Sequence, residues 1–245
     1  MRAEVRAEVR AEVRGESVQS PSETRFNSNL SCDPVSQFTL WQLADSAFPT
    51  GGFAHSGGLE AAWQNGEVGN RGELREWLVA SLRQVTRASL PFVNAAYNEP
   101  TRLSEVDQLC DALTSNHVAN RAGRLQGRAL MSAAQRVFKA ELPETPFAHL
   151  APVYGAATGV LGLPHDQALR LFVFMQLRST IAAAVRLNIV GPMEGQTIQF
   201  ELSTEAEAVV TLGMKVGLED LAQTNPLLDL WQGTQDRLYS RLFQS

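Results

Sequence analysis

Residues 70–90, NRGELREWLVASLRQVTRASL, decide the fold class of this chain. Apolar or small side chains fall at Leu74, Trp77, Leu78, Ser81, Leu82, Val85, Ala88 and Ser89. That i, i+3, i+4, i+7 spacing lines one side of an α-helix and leaves charge on the other. Asn70 followed by Glu73 predicts a capping box, with Asn in place of the usual Ser or Thr. Pro91 has no amide hydrogen to give to a helix, so the segment should stop or kink near Leu90.

The same periodicity continues downstream. Leu103, Val106, Leu109, Cys110 and Leu113 mark a second helix. Residues 116–140 mark a third, with Val118, Leu125, Leu130 and Val137 facing inward. Further helices are predicted at 147–161, 165–188, 205–216 and 227–231. The pair Gly191-Pro192 ends the longest of them. Residues 197–202 are a short, isolated strand candidate. Consecutive helices with short links predict an all-α protein, a single-domain helical bundle over residues 38–235. The most apolar stretch, 168–189, is interrupted by Arg170, Arg178 and Arg186. A membrane span would not tolerate them, so a core helix is expected, with Arg178 and Arg186 in ion pairs with carboxylates first and docking contacts second.

The 245 residues carry 21 Lys and Arg against 26 Asp and Glu, a net charge of −5, which gives no electrostatic case for nucleic acid. Lys139 and Lys215 are the only lysines. Cys32 lies in a polar segment and Cys110 at an apolar helix position, so no disulfide is expected, as suits a cytoplasmic protein. No apolar signal region opens the chain. Residues 2–13 repeat Arg-Ala-Glu-Val three times, which on a helix stacks like charges at i, i+4. With the Ser, Asn and Pro that follow, residues 1–37 are expected to be a disordered N-terminal extension.

Chemistry concentrates elsewhere. Pro49, Gly51, Gly52, Phe53, His55, Ser56, Gly57, Gly58 and Glu60 stand in a run with two glycine pairs. Such a run predicts a tight loop between helices that holds Phe53 and His55 in fixed directions. His55-Ser56 could serve a small helical hydrolase, but the segment is not G-x-S-x-G and lacks the lysine of a phosphate loop. Arg121, Arg124 and Arg128 share one helix face, beside Gly123 and Gly127. A solvated face and an interface both fit them. The histidines are scattered, and only His55 with Glu60 approaches a metal-ligand spacing. The last ten residues hold two apolar pairs, Leu238-Tyr239 and Leu242-Phe243, each preceded by an arginine, Arg237 or Arg241. An amphipathic chain end of this kind docks on its own domain or on a partner.

Three segments carry a resemblance: 40–60, LWQLADSAFPTGGFAHSGGLE; 183–192, AAVRLNIVGP; and 236–245, DRLYSRLFQS. Together, in that order, they resemble the urease accessory protein UreF family. The resemblance implies an all-helical, non-enzymatic homodimer. It implies a scaffold that binds UreD (UreH in some systems), recruits the GTPase UreG, and serves nickel delivery to the urease apoprotein. No cofactor is stably bound on that view: nickel is handled in transit by the complex, and GTP belongs to UreG. The loop at 49–60 and Arg186 match family positions. Arg237, Tyr239, Ser240, Arg241, Leu242 and Phe243 match a partner-docking tail, 236–245, that orders against UreD. Two departures stand out. Gln235 replaces a histidine of many members, and the loop reads GGFAHSGG where others have GAFAYSHG. The N-terminal repeat has no family counterpart.

Overall fold

The computed structural model describes residues 34–245. The N-terminal extension up to residue 33, with its repeat and Cys32, lies outside the described residues. Residues 34–37, read above as part of that extension, instead form the first turn of helix α1 (Pro34–Ala44). Ten more helices follow: α2 (Leu59–Gln64), α3 (Arg71–Ala88), α4 (Leu90–Asn98), α5 (Leu103–Leu113), α6 (His117–Val137), α7 (Leu150–Val160), α8 (His165–Arg186), α9 (Pro192–Glu201), α10 (Ser203–Gly213) and α11 (Pro226–Thr234). Every regular element among the described residues is a helix.

Helix α3 forms as its pattern predicts. Leu74, Trp77, Leu78 and Leu82 are buried, and the Asn70 carboxamide accepts the amides of Gly72 and Glu73. The box is only half made, because Glu73 accepts from the Gly69 amide rather than from Asn70. Pro91 breaks the ladder and then sits in the first turn of α4, where its missing N–H costs nothing. The same logic corrects the strand expected at 197–202. Pro192 opens a helix there, and α9 runs on to Glu201. Helix α6 also differs from its expectation: Val118 and Leu130 are buried, whereas Leu125 and Val137 face outward. Ala122, Gly127, Ala133 and Ala134 fill the inner face instead, so its seam is made of small residues.

Helix α8 is the spine of the bundle. It packs against α1, α3, α7, α9 and α10. It is long and apolar enough to cross a membrane by length and composition, but half of that stretch is buried inside the protein. Its arginines find mixed partners. Arg170 pairs with Asp166 and Glu207. Arg178 instead donates to the Ala44 carbonyl and lies over the Phe174 ring, and Arg186 donates to the Phe53 carbonyl. The expected carboxylate partners are absent for these two because both guanidiniums reach the edge of the bundle, where backbone and aromatic faces are closer.

Glycines set the closest helix contacts. A Cβ on Gly155 of α7 would lie 2.2 Å from the Val93 carbonyl of α4. The Asn94 carboxamide then ties α4 to the end of α10 through the Gly213 and Val216 carbonyls, and His165 donates to its oxygen. Tyr154 is 1% exposed and donates to the Ala168 carbonyl, which locks α7 to α8.

Candidate functional site

The glycine run folds as a loop between α1 and α2, as its composition predicts. Gly51, Gly57 and Gly58 all adopt positive φ. Gly58 is doubly constrained: its φ is 89°, and a Cβ there would lie 2.8 Å from the Gln232 amide nitrogen of α11. One side of the loop is held by α8, where Ser179 donates to the Gly52 carbonyl at 3.2 Å and Arg186 to the Phe53 carbonyl at 2.7 Å. Phe53 is left 64% exposed with the Arg186 guanidinium over its ring.

The other side is covered by the end of the chain. Residues 236–245 dock on their own domain. The Gln244 amide donates to the Ala54 carbonyl at 2.8 Å, and the Ser56 amide to the Ser245 backbone oxygen at 2.5 Å. Ser56 Oγ donates to the same oxygen, and His55 Nδ1 lies 2.5 Å from Ser245 Oγ. Glu60 is the central clasp. Its buried carboxylate accepts the amides of Leu242 at 2.5 Å and Phe243 at 3.1 Å, and the Gln235 side-chain amide at 2.6 Å. Phe243 is buried beneath Arg186, whereas Leu242 is half exposed and Tyr239 fully so. Of the loop residues singled out in the sequence, Pro49, Gly51, Phe53 and Gly57 are therefore presented outward. His55, Ser56 and Glu60 are turned inward and occupied by the tail. Gln235, where relatives with histidine would carry an imidazole, uses its amide to join Glu60 to the tail.

The arginine stripe on α6 divides into three roles. Arg121 makes a bidentate pair with Asp236 at 3.0 and 2.8 Å, and His117 and Arg241 reach the same carboxylate. Those contacts, led by the Arg121 hydrogen bonds, hold Asp236 down at about 2. Arg124 turns inward to Asp111 and lies over Phe147. Burial pushes the Asp111 carboxyl up, but hydrogen bonds from His149, Arg124 and Asn120 outweigh it and leave it at about 2. Arg128 is exposed and has no ion pair or hydrogen bond among the described residues. Gly123 and Gly127 admit the segment before α7: the His149 ring and the Ala148 carbonyl occupy the space their side chains would need. The close approach expected at these glycines is internal.

A cavity of about 290 Å³ lies under the loop, lined in part by His55, Cys110, Gln126, His149 and Asp229. Burial pushes the Cys110 thiol up to about 12, so it is an inert thiol rather than a ligand-ready thiolate. Among the described residues, no three His, Cys, Asp or Glu side chains converge to hold a metal. The hydrolase arrangement is not assembled either, since His55 meets Ser245 and not the Ser56 hydroxyl.

Burial, and then the charge of Arg121, lowers the His55 pKa below its ordinary 6.5. Burial does the same to His165, partly opposed by Asp166. The unfolded chain therefore binds more protons than the folded one as pH falls through about 6.5. Stability should be full above that value and drop as pH moves down toward the folded pKa. Thermal unfolding at pH 7.5 and 5.5 checks this: His55→Asn should show a smaller acid-induced fall in Tm than the parent, and equal falls would refute a role for His55.

Asp236 and Ser245 were not singled out in the sequence. Asp236 acts on Arg121, 115 positions away, and Ser245 on His55, 190 away. Neither partnership has a local signature.

What the fold and site define is an all-helical protein whose glycine loop is clasped by its own chain end, with a basic helix beside the clasp. The UreF family model matches residues 68–203. The chain is 38% identical over 221 residues to urease accessory protein F of Oryza sativa subsp. indica, covering 85% of each protein. It is 37% identical over 223 residues to the protein of that name from Arabidopsis thaliana, covering 85% of this chain and 92% of that one. It is also 34% identical over 211 residues to urease accessory protein UreF of Mycobacterium tuberculosis, covering 84% and 97%. The chain belongs to the UreF family.

Proposed function

We propose that this protein is a non-catalytic scaffold of urease maturation. As a homodimer in the cytoplasm it holds a UreD (UreH) partner, recruits the GTPase UreG to the urease apoprotein, and lets GTP hydrolysis on UreG drive nickel delivery. Nickel passes through as cargo of the complex, and the chain keeps no cofactor of its own.

The observation that carries this reading is the loop and tail clasp. It spends its polar groups internally and displays Phe53, Tyr239 and Leu242 to solvent, and Arg237 and Arg241 are exposed as well. Aromatic and arginine side chains on a preformed surface are what protein interfaces use as anchors. A hydrolase would need the reverse, a base and an orienting acid converging on an open nucleophile. Met193 and Phe200 on α9, each about four-fifths exposed, add an apolar face that a second copy could cover.

Reconstitution tests the proposal. The purified chain, mixed with UreD, UreG and apo-urease, should co-elute with them and raise nickel- and GTP-dependent urease activity. An assembly that activates urease equally well without this chain would refute it. Sedimentation should show a dimer at micromolar concentration, and a strict monomer with partners present would remove the homodimer from the reading.

A further inference from the structure

The basic groove along the start of α6 stands out against a chain of net charge −5. His117, Arg121 and Arg128 line it, with Leu125 as an apolar wall and an open volume of about 420 Å³. Arg124 is neutralised by Asp111. Arg121 and Arg241 share the single carboxylate of Asp236, and Arg128 has none. Positive charge is therefore left over.

The groove already shows what it accepts. Asp236 of the tail bonds Arg121 beside it and takes both nitrogens of the fork, the planar match of guanidinium to carboxylate. This pair is partly exposed, with Arg121 at 44% and Asp236 at 31%, so a carboxylate arriving from solvent can reach the same guanidinium. A segment with several carboxylates can offset the loss of this one by also engaging Arg128. Nucleic acid fits less well, because the groove contains no Phe, Tyr or Trp on which a base could stack.

We propose that this groove docks an acidic segment of a protein partner, whose carboxylates engage Arg128 and displace Asp236 from Arg121. Asp236 is then a built-in competitor that occupies the Arg121 guanidinium until a partner arrives. The distal tail has its own holds on Glu60, through the Leu242 and Phe243 amides, that the exchange does not break. The identity of the partner rests on the scaffold role proposed above; the carboxylate chemistry does not.

The test is fluorescence anisotropy of labelled poly-L-glutamate titrated with the full chain at low salt. The parent protein should bind, and binding should weaken as salt rises. Arg128→Glu should weaken it at least about tenfold with an unchanged circular dichroism spectrum. Asp236→Asn, which removes the competitor and keeps the size, should tighten it about threefold or more. No binding by the parent, an undiminished Arg128→Glu variant, or an Asp236→Asn variant no tighter than the parent would each overturn the proposal. So would stronger binding of poly(U) of equal length, which would assign the groove to nucleic acid. Failure to co-elute with urease accessory proteins, with poly-L-glutamate binding intact, would remove the scaffold role and leave the groove's chemistry standing.

Discussion

Gly127→Ala should be one of the most damaging single-methyl changes in this protein. Its Cβ would lie 2.0 Å from the Ala148 carbonyl oxygen, 2.6 Å from the His149 carbonyl carbon and 2.7 Å from the Leu150 nitrogen. All three are backbone atoms, so no side chain can swing aside. The facing segment cannot retreat either. Ala148 already sits at a φ of 59°, unusual for a residue with a Cβ. It is held there by buried Asp107, which accepts from the Thr145 hydroxyl and from the amides of Phe147, Ala148 and His149. Alanine would improve helix propensity by about 1 kcal/mol. Overpacking against fixed backbone should cost about 3 kcal/mol or more, and it wins. The net loss of about 2 kcal/mol corresponds to a fall in Tm of about 4–8 °C for a chain of this size. Gly191→Ala is the control, because Gly191 has a φ of −75° and nothing within 4 Å of its would-be Cβ. Similar Tm values for the two variants would refute the packing argument.

These glycines show where sequence stops informing. A helix that spends two glycines on one face announces that something approaches, because the propensity cost needs a cause. It does not say what approaches. Leu125 and Val137 were assigned inward because apolar residues usually are, yet the alanines and glycine beside them form the real seam. Helix α3 was legible because it is long, one-sided and capped locally. Helix α9 was not, since the proline that ends one helix also begins the next, and Thr, Gln and Phe suit a strand as well. The site followed the same division. The loop's glycine pairs and the amphipathic tail were visible as objects. Their seating was not, because Glu60 meets Leu242 and Phe243 across 182 and 183 positions. Arg186 was equally opaque: a carbonyl and two ring faces satisfy it, and none is encoded nearby.

Glu60→Ala should release the tail and leave the helical bundle folded. Glu60 is 1% exposed and is the acceptor for the Leu242 amide, the Phe243 amide and the Gln235 side chain. Alanine removes all three bonds and leaves three donors in a site with little access to water. Each buried unsatisfied donor costs about 1–3 kcal/mol, so the docked tail should lose about 3 kcal/mol or more. The chain has an alternative, which is to let residues 242–245 peel into solvent and hydrate. Peeling gives up the buried Phe243 ring at the edge of the core, its contact beneath Arg186 and the Ser56 bonds to Ser245, but breaks no hydrogen bond within α3, α4, α7 or α8. Hydrogen exchange at Leu242 and Phe243 should therefore accelerate at least about a hundredfold, which is what a loss of about 2.7 kcal/mol gives. Exchange in α7 and α8 should hardly change, and the far-ultraviolet circular dichroism should stay helical. Glu60→Gln keeps the size and an acceptor oxygen for the Phe243 amide and the Gln235 side chain but turns its NH2 toward the Leu242 amide, so it should fall between parent and alanine. On the scaffold reading, binding of a UreD-like partner should weaken in the same order, because Tyr239 and Leu242 are displayed only while the tail is seated. A Glu60→Ala variant whose tail amides exchange as slowly as the parent's would show that Glu60 is not the clasp. One that loses its helical spectrum would show that the tail is part of the core rather than a strap laid over it.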